Sequence, residues 1–561
     1  MDYTVQLNTL WVLLGTALVF FMRAGFAMLE AGYTRAKNSG NIIMKNLMIF
    51  ACGSIAYWLI GYRLMFGVSE GEIPIPAHAA FNTMLCATAA IVVSGAMAER
   101  TQWKVYLIYS VMISAFIYPV AASWVWGGGW LSALSMGKAA GFIDQAGSAL
   151  VHMTGGIAAL VGAKMLGPRI GKYGKNGKTR AIPGHSITLG ALGVFILWFG
   201  WFGFNMASNY ALSNAKNSFD VSNVFMTTNI AAVASTAVTM IVTWTRYKKP
   251  DVFMTLNGSL AGLVAITAGC SVMDPWASAL TGAIAGILVV IGVEFIEKVL
   301  KIDDPVGAIG VHGISGMFGA LACGLFSRDT GYFTTGDPGQ LAVQVIGVLA
   351  IAAWVGMTMT ILFVILKKTI GLRVPLEEEI AGLDSAENGL LSTHTGFLPS
   401  SASAAFPAAG RQPEIGKSNV PEEEAVPVQF KTYNHPAMSE AKLTKVEILM
   451  KQSKFEALKL AMNAIGVTGM TVTQVLGCGM QKGATEYYRG VTLDEEMMLL
   501  PKIKVEIVIA KVPVSEVVKA AKRVLYSGHI GDGKIFIYDV ENVVKVRTGE
   551  EGYNALQGVD E

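Results

Sequence analysis

Charged side chains are scarce in this chain. Asp, Glu, Lys and Arg make up only 15% of its 561 residues, whereas 53% are hydrophobic and 62 are glycine. Soluble domains carry about 25% charged residues, so the composition excludes a wholly soluble protein. It predicts a chain that lies largely within a lipid bilayer.

Cysteine is scarce too, and the five cysteines share no metal-binding spacing: Cys52, Cys86, Cys270, Cys323 and Cys478. Four of them lie in apolar runs, which indicates small buried side chains rather than disulfides or metal ligands. The sequence also lacks a nucleophile and base in an arrangement typical of catalysis. We therefore expect no enzymatic activity.

Long apolar runs are the main structural signal. Each approaches the ~20 residues that an α-helix needs to cross a bilayer. The runs cover residues 11–29, 42–59, 81–97, 105–121, 149–166, 187–204, 224–242, 256–272, 277–293, 306–326 and 341–366. The sequence therefore predicts an α-helical polytopic membrane protein with eleven transmembrane helices.

Basic residues predict the orientation of these helices. Alternate connections hold clusters of Lys and Arg, such as Arg169, Lys172 and Lys175, whereas the connections between them are poor in both. The positive-inside rule then places the N-terminus outside and everything after Leu366 in the cytoplasm. An odd number of spans, such as eleven, satisfies this orientation.

One motif occurs twice, about 160 residues apart. Each copy has an Asp, then seven residues, then a His, and a Gly four residues later: Asp144, His152 and Gly156, and Asp304, His312 and Gly316. A histidine within a membrane-length apolar segment is costly and usually marks a pathway, although a single one also occurs as a packing residue bonded to a carbonyl. Repeats bring such residues together at the midplane of many transporters. The pair predicts a path for a small molecule that hydrogen-bonds to imidazole or exchanges a proton with it.

The composition changes after the last span. We assign residues 1–370 to a membrane domain, 371–440 to a cytoplasmic tail and flexible linker, and 441–561 to a compact soluble domain. The soluble domain has predicted strands and helices at 445–450, 455–464, 471–476, 503–509, 514–525 and 535–540. Their order, strand, helix, strand, strand, helix, strand, is typical of a ferredoxin-like α+β fold. The chain is thus predicted to be multi-domain.

Several motifs resemble known families. Residues 8–390 resemble an ammonium transporter of the Amt/Mep/Rh family in segments 98–100, 124–129, 144–152, 200–205, 263–269 and 303–313. Residues 442–561 resemble a PII nitrogen-regulatory protein of the GlnB/GlnK type in segments 469–473, 481–483, 488–490, 500–502, 531–536 and 546–550. The first resemblance implies two inverted five-helix repeats plus one helix, and the second implies a regulatory domain.

The transporter resemblance implies a recruitment site for ammonium. Trp126 resembles the cation–π wall of the family, Ser208 its hydroxyl acceptor and Phe81 an outer aromatic residue of the same vestibule. Asp144 supplies a negative bias, and we expect it to hold a loop and a helix end rather than to contact the ion.

The same resemblance implies a pore below this site. Phe204 resembles one of two stacked rings that close the pore, but the position of the other ring holds Leu85. With Trp201 beside them, His152 and His312 would share a proton between neighbouring ring nitrogens, so that one donates and the other accepts. The bare ion is strongly penalised in such a setting, so we expect ammonia and its proton to travel separately and to need no cofactor.

The PII resemblance implies a nucleotide site. The residues it assigns to ATP or ADP are Thr471, Gly479, Gly531, Gly533, Lys534, Lys545 and Arg547. The Gly531–Lys534 turn alone is a weak phosphate signal and could equally be an ordinary hairpin turn. Lys545 stands where the family usually has Arg, and Met480 stands where an Arg usually precedes Gln481, so reduced ATP affinity is expected.

The PII resemblance also implies a second effector and a moving loop. Gln481 would contact magnesium indirectly, through Mg-ATP and 2-oxoglutarate, and Lys502 would pair with the carboxylate of 2-oxoglutarate. Tyr488 and Arg489 belong to the regulatory T-loop, in which Arg489 resembles an arginine that free PII proteins insert into the pore mouth. The loop tip has no tyrosine, so uridylylation there is not expected.

Together these features predict a homotrimeric ammonium transporter in the cytoplasmic membrane, regulated by its own cytoplasmic PII domain. The expected partners are ammonium or ammonia, the lipid bilayer and a nitrogen-signalling protein, with no nucleic acid. The alternative is an ammonium sensor that conducts poorly and signals through the PII domain. The substitution at Leu85 and the covalent fusion keep that alternative open.

Overall fold

The computed structural model describes residues 3–67, 73–174, 177, 179–389, 442–467, 469–477, 487–488, 491–492, 500–528 and 532–556. The chain divides into two compact units, Met1–His394 and Thr395–Glu561. The first is called the membrane unit below, and the second is called the soluble unit.

The membrane unit is almost entirely helical. Its helices, in chain order, are α1 Thr4–Tyr33, α2 Ala36–Phe66, α3 Ile75–Met97, α4 Trp103–Ser123, α5 Ser148–Leu166, α6 Ile187–Ala207, α7 Ala215–Tyr247, α8 Val252–Thr267, α9 Pro275–Val299, α10 Ile309–Phe326, α11 Tyr332–Thr335, α12 Gly339–Thr369, α13 Leu376–Ala381 and α14 Leu383–Asn388. A small hairpin, β1 Ser135–Met136 and β2 Ala139–Ala140, lies between α4 and α5. Within the described residues, ten helices are long and apolar enough to cross a membrane, and α8 is a shorter apolar helix. The structure therefore has about ten spanning helices, and eleven spans stay a prediction.

Several helices run beyond the apolar segments that predict them. Helix α1 covers Thr4–Tyr33 rather than residues 11–29, because Asn8 and Glu30 near its ends are buried and find hydrogen-bond partners in neighbouring segments. Asn8, for example, accepts hydrogen bonds from the backbone N–H groups of Leu212 and Ser213. A polar residue that is satisfied inside a helix bundle does not have to end the span.

The soluble unit is an α+β fold. Its elements are β3 Thr444–Lys451, α15 Phe455–Ala464, β4 Thr471–Gly477, β5 Tyr487–Tyr488, β6 Val491–Thr492, β7 Leu500–Ile509, α16 Val514–Leu525, β8 Lys534–Asp539 and α17 Gly552–Ala555. Helices α15 and α16 have the predicted bounds, and the four long strands lie within a few residues of theirs. Those strands form an antiparallel sheet in the order β4-β7-β3-β8.

The core of the soluble unit follows from the alternation in its strands. Val446, Ile448 and Met450 on β3 are buried, whereas the residues between them are half-buried. These three share one hydrophobic cluster with Phe455 of α15 and Val517 of α16. One face of the sheet is therefore covered by the two helices.

Candidate functional site

The two motif histidines meet inside the membrane unit. The Nδ1 atoms of His152 and His312 lie 3.2 Å apart, and their rings are stacked with centroids 5.2 Å apart. His152 is fully buried and His312 is 4% exposed. A hydrogen bond at this distance requires one ring nitrogen to donate and the other to accept.

The same local structure holds both histidines. The carboxylate of Asp144 accepts hydrogen bonds from the backbone N–H groups of Gly147, Ala149 and Leu150, at 2.8–3.0 Å. The carboxylate of Asp304 likewise accepts from Gly307 at 3.0 Å and from Ile309 at 2.7 Å. Each Asp thus satisfies the otherwise unpaired N–H groups at the start of a helix.

The backbone is also alike in the two motifs. Gly147 and Gly307 have φ of +109° and +80°, a region that favours glycine. His152 and His312 then lie in π-helical first turns, Ser148–Met153 of α5 and Ile309–Ile314 of α10. Such π-helical turns are rare and are frequent at functional sites.

The glycines after the histidines let α5 and α10 approach closely. A Cβ atom on Gly156 would lie 2.3 Å from the Cα atom of Gly313, and one on Gly316 would lie 2.4 Å from the carbonyl oxygen of Ser148. Both neighbours are backbone atoms that cannot rotate away. Small residues at these crossings therefore set the distance between the two histidines.

Aromatic rings cover one side of the histidine pair. The ring of Trp201 stacks on His152 with centroids 4.9 Å apart, and Phe204 stacks on it at 5.5 Å. Trp201 is fixed by its Nε1 atom, which donates to the hydroxyl of Thr267 at 2.9 Å. Thr267 in turn donates to the carbonyl of Leu263 at 2.7 Å, so its hydroxyl orients the tryptophan.

A recess of about 400 Å³ lies beyond these rings, and we call it the aromatic recess. Its lining includes Trp126, Ser208, Leu85 and Asp144, and the described residues that line it include no Lys or Arg. Trp126 donates from Nε1 to the carbonyl of Asp144 at 2.8 Å. Ser208 donates to the carbonyl of Phe204 at 2.9 Å and keeps its lone pairs as acceptors.

Two residues that line the recess, His78 and Tyr210, were not singled out from the sequence. His78 is half-buried on α3, where it hydrogen-bonds to Tyr62 at 3.0 Å and faces the ring of Tyr210 at 4.9 Å. The ring of Phe81 packs edge-on against that of Tyr210, with centroids 5.7 Å apart. Of these two rings, Tyr210 lines the recess and Phe81 lies behind it. The i, i+4, i+7 spacing of His78, Asn82 and Leu85 on one helical face was the available signal.

A second, much smaller cavity, of about 20 Å³, lies on the other side of the pair, and we call it the Glu30 cavity. Its lining includes His312, Phe26 and Glu30. The two spaces lie at different depths, since α3 contributes Leu85 to the recess and Val92, two turns further along, to the cavity. The histidine pair therefore lies between two cavities.

A buried ion-pair network lies at the helix ends that carry the basic connections. Arg169 pairs with both Glu99 and Asp303 at 2.8 Å, and Arg35 also pairs with Glu99. Burial alone would raise the pKa of Glu99, but Arg35 and Arg169 lower it to about 2. Arg169, counted as an orienting cation in the sequence, is therefore a buried structural residue as well.

The soluble unit does not bring its candidate nucleotide residues together within one chain. Thr471 begins β4 and Lys534 begins β8, which are opposite edges of the sheet. Three strand spacings separate these edges, about 14 Å. Gly533, next to Lys534, has φ of +115°, and a Cβ there would lie 2.2 Å from the carbonyl oxygen of Leu449.

The remaining candidates lie apart from one another or outside the described residues. Lys545 pairs with Glu550 at 3.2 Å beside the exposed Arg547, and Lys502 pairs in register with Val475 and Lys451 in the sheet. Tyr488 lies in β5, which pairs with β6. Four predicted residues fall outside the described residues: Gly479, Gln481, Arg489 and Gly531.

The fold and the buried pair define a class, polytopic α-helical membrane proteins, here with a soluble α+β unit. Comparison with known protein families identifies both units. The Ammonium Transporter Family model matches residues 10–392, and the Nitrogen regulatory protein P-II model matches residues 443–550. The chain is 45% identical to ammonium transporter Amt2 of Archaeoglobus fulgidus over 418 residues, which cover 69% of this chain and 88% of that protein.

Solved structures agree. A structure described as a sensor Amt protein is 35% identical, with a TM-score of 0.64, and the match covers 69% of this chain and 99% of that one. Candida albicans Mep2 is 26% identical, with a TM-score of 0.60, over 66% of this chain and 87% of its own. The chain belongs to the ammonium transporter family and carries a P-II domain near its C-terminus. It is a transporter-family protein, not an enzyme.

Proposed function

We propose that ammonium is captured in the aromatic recess and that ammonia passes Leu85 and Phe204 to the histidine pair and the Glu30 cavity. The observation that carries this proposal is the 3.2 Å contact between His152 and His312, which are buried between the two cavities. Only a molecule that can hydrogen-bond to imidazole is expected to pass the histidine pair.

The recess suits a small cation and the buried pair does not. Trp126 offers an aromatic face and Ser208 an acceptor, in a lining where Asp144 is the carboxyl group. Beyond the rings, transfer of a bare ion into an apolar space is strongly unfavourable. Ammonium therefore gives up its proton near the pair, and the proton and ammonia cross separately.

The test is the ammonium-evoked current of purified protein in proteoliposomes on a solid-supported membrane. His152→Ala combined with His312→Ala is expected to abolish the current, because neither ring remains to accept or donate. His185→Ala is the matched control, since His185 is half-buried and bonded to the carbonyl of Thr34 at 2.9 Å, away from the pair. Wild-type current in the double variant refutes the pathway.

Regulation by the P-II domain is the second part of the proposal. Thr471 and Lys534 lie on opposite edges of one four-stranded sheet, which supports a nucleotide site completed by a neighbouring chain in a homotrimer. Apolar side chains exposed on and after β8, including Ile537 at 44% and Val546 at 99%, support such an assembly. ATP or ADP, magnesium and 2-oxoglutarate would be the effectors, with Gln481 and Lys502 at the 2-oxoglutarate site, and Arg489 of the T-loop would inhibit transport.

The positive-inside pattern supports a cytoplasmic membrane protein with its N-terminus outside and the P-II domain in the cytoplasm. Equivalent roles of Asp144 and Asp304, and of Gly147 and Gly307, support two inverted repeats of five helices plus one. With α8 as a span, the total would be eleven.

A second candidate function is ammonium sensing with little conduction. Two observations favour it: Leu85 stands where the family has a second ring, and the 35% identical structure is described as a sensor Amt protein. The same current measurement separates the two functions. A sensor would bind ammonium without a sustained ammonium-specific current, and a transporter would give one.

A further inference from the structure

Glu30 is a buried carboxyl group inside a membrane span. It lies near the end of α1 and is 2% exposed. Its Oε2 atom accepts hydrogen bonds from Asn46 Nδ2 and Ser94 Oγ, both at 2.9 Å. Within the described residues, no Lys or Arg forms an ion pair with it. An intramembrane carboxyl without a cationic partner is expensive and is typical of proton relays.

Glu30 shares its cavity with the histidine pair. His312 and Glu30 are the titratable residues among the described residues that line it, and most of the rest are apolar, such as Phe26 and Val306. The ring of Phe26 lies 6.1 Å from that of His312. The cavity is large enough to hold a water molecule, which can connect an imidazole to a carboxylate.

The charged groups on the neighbouring elements form their ion pairs and hydrogen bonds with residues other than Glu30. Lys45 on α2 pairs with Glu387 at 2.8 Å, and Asp304 accepts from backbone N–H groups at the start of α10. Arg23, two turns back on α1, donates to the hydroxyl of Thr88 and to the carbonyl of Met84. Glu30 is therefore the group in this cavity that is placed to take a proton from the histidine side.

We propose that Glu30 accepts the proton that ammonium leaves at the histidine pair and passes it to water at the basic end of the bundle. This inference rests on the proposed pathway through the pair. An N–H bond on His312 breaks and an O–H bond forms on Glu30, directly or through one water. That O–H bond then breaks toward solvent, which restores the carboxylate. Ammonia crosses as a neutral molecule, and no redox partner is needed.

A structural role is the competing account, because Glu30 ties α1 to Asn46 on α2 and Ser94 on α3. Glu30→Gln separates the two accounts. The amide has nearly the same shape and can still accept from Asn46 and Ser94, but it cannot take up a proton. If Glu30 only tied helices together, the glutamine variant would conduct normally.

The experiment uses full-length protein in proteoliposomes. Glu30→Gln is expected to lower the ammonium-evoked current by at least about 10-fold with little change in thermal stability, and Glu30→Asp is expected to recover part of it. Glu297→Gln is the matched control, since Glu297 pairs with Lys172 outside the cavity. A wild-type current in Glu30→Gln overturns the inference.

Infrared difference spectra provide a readout that a purely structural role would not change. Addition of ammonium is expected to produce the carbonyl band of a protonated carboxyl group in the wild type, shifted in Glu30→Asp and lost in Glu30→Gln. If Glu30→Gln fails to fold, the other two proteins still test the inference. Absence of the band in the wild type overturns it, and so does a band at the same frequency in Glu30→Asp. A conducting double-histidine variant instead refutes the pathway itself, whatever Glu30 does.

Discussion

The membrane unit and the soluble unit build their candidate sites in opposite ways. In the membrane unit, two residues far apart in sequence meet within one chain, with the Nδ1 atoms of His152 and His312 3.2 Å apart. In the soluble unit, Thr471 and Lys534 lie on opposite edges of a four-stranded sheet. Packing of related segments inside one chain brings the first pair together, whereas we propose that a neighbouring chain completes the second site. Transport is therefore expected of each chain by itself, and ligand sensing only of the assembly.

The largest expected effect comes from separating α5 from α10. Gly156→Ala places a methyl group 2.3 Å from the Cα atom of Gly313, and overpacking of this kind costs about 1–3 kcal/mol. The histidines are pushed apart, so both thermal stability and ammonium current should fall. Melting temperature in detergent and solid-supported membrane currents measure the two effects.

A matched glycine provides the control for that change. In Gly356→Ala the nearest atom lies 3.9 Å from the new Cβ, which is an ordinary contact. This variant should keep wild-type stability and current. Equal behaviour of the two variants would show that the close approach of α5 and α10 does not position the pair.

The next largest effect tests whether the nucleotide site is shared between chains. Thr471→Ala and Lys534→Ala should each weaken ATP binding by about 10-fold or more, since contacts to a charged phosphate contribute about 1.5–3 kcal/mol. Mixed trimers of the two variants should regain up to one intact site, formed by Thr471 of one chain and Lys534 of its neighbour. Calorimetry on homotrimers and on purified mixed trimers measures this gain.

The double variant, with both substitutions in one chain, is the control for the mixing experiment. When the double variant is mixed with wild-type chains, the nucleotide sites at both of its interfaces with them are lost, because it contributes neither Thr471 nor Lys534. If mixtures of the single variants bind no better than either alone, the two residues do not contribute to one site across an interface.

The smallest effect is expected at the gate. Leu85→Phe adds a ring to the lining of the aromatic recess, so it should change ammonium current by a few-fold without admitting potassium, because Trp126 and Ser208 are unchanged. Leu14→Phe, at a position that is 53% exposed on the outside of the bundle, is the control. A potassium current in Leu85→Phe would show that selectivity resides at the gate rather than in the recess.

Much of the membrane site could be predicted because it is repeated in the sequence. The spacing of Asp144, His152 and Gly156 recurs at Asp304, His312 and Gly316, and each residue type has a separate physical task. Helix ends were harder to predict. An apolar run stops at a polar residue, but Glu30 and Asn8 continue α1 because neighbouring segments satisfy their hydrogen bonds.

What could not be predicted depends on tertiary packing. His78 and Tyr210 line the aromatic recess although they are 132 residues apart in sequence, and neither belongs to a repeat. In the soluble unit, helical spacing predicted both long helices, and alternation predicted most of each of the four long strands. The separation of Thr471 from Lys534 follows from the strand order, which local patterns do not encode.

The central claim is that the membrane unit transports ammonium and the soluble unit controls when it does so. The most direct test is the ammonium-evoked current of the intact protein, recorded with ADP and then with Mg-ATP and 2-oxoglutarate. The account predicts a low current with ADP and a high one with Mg-ATP and 2-oxoglutarate. It also predicts a high current in both states for Arg489→Ala, and no response to 2-oxoglutarate for Lys502→Ala. Equal currents in the two states, unchanged by Arg489→Ala, would contradict it.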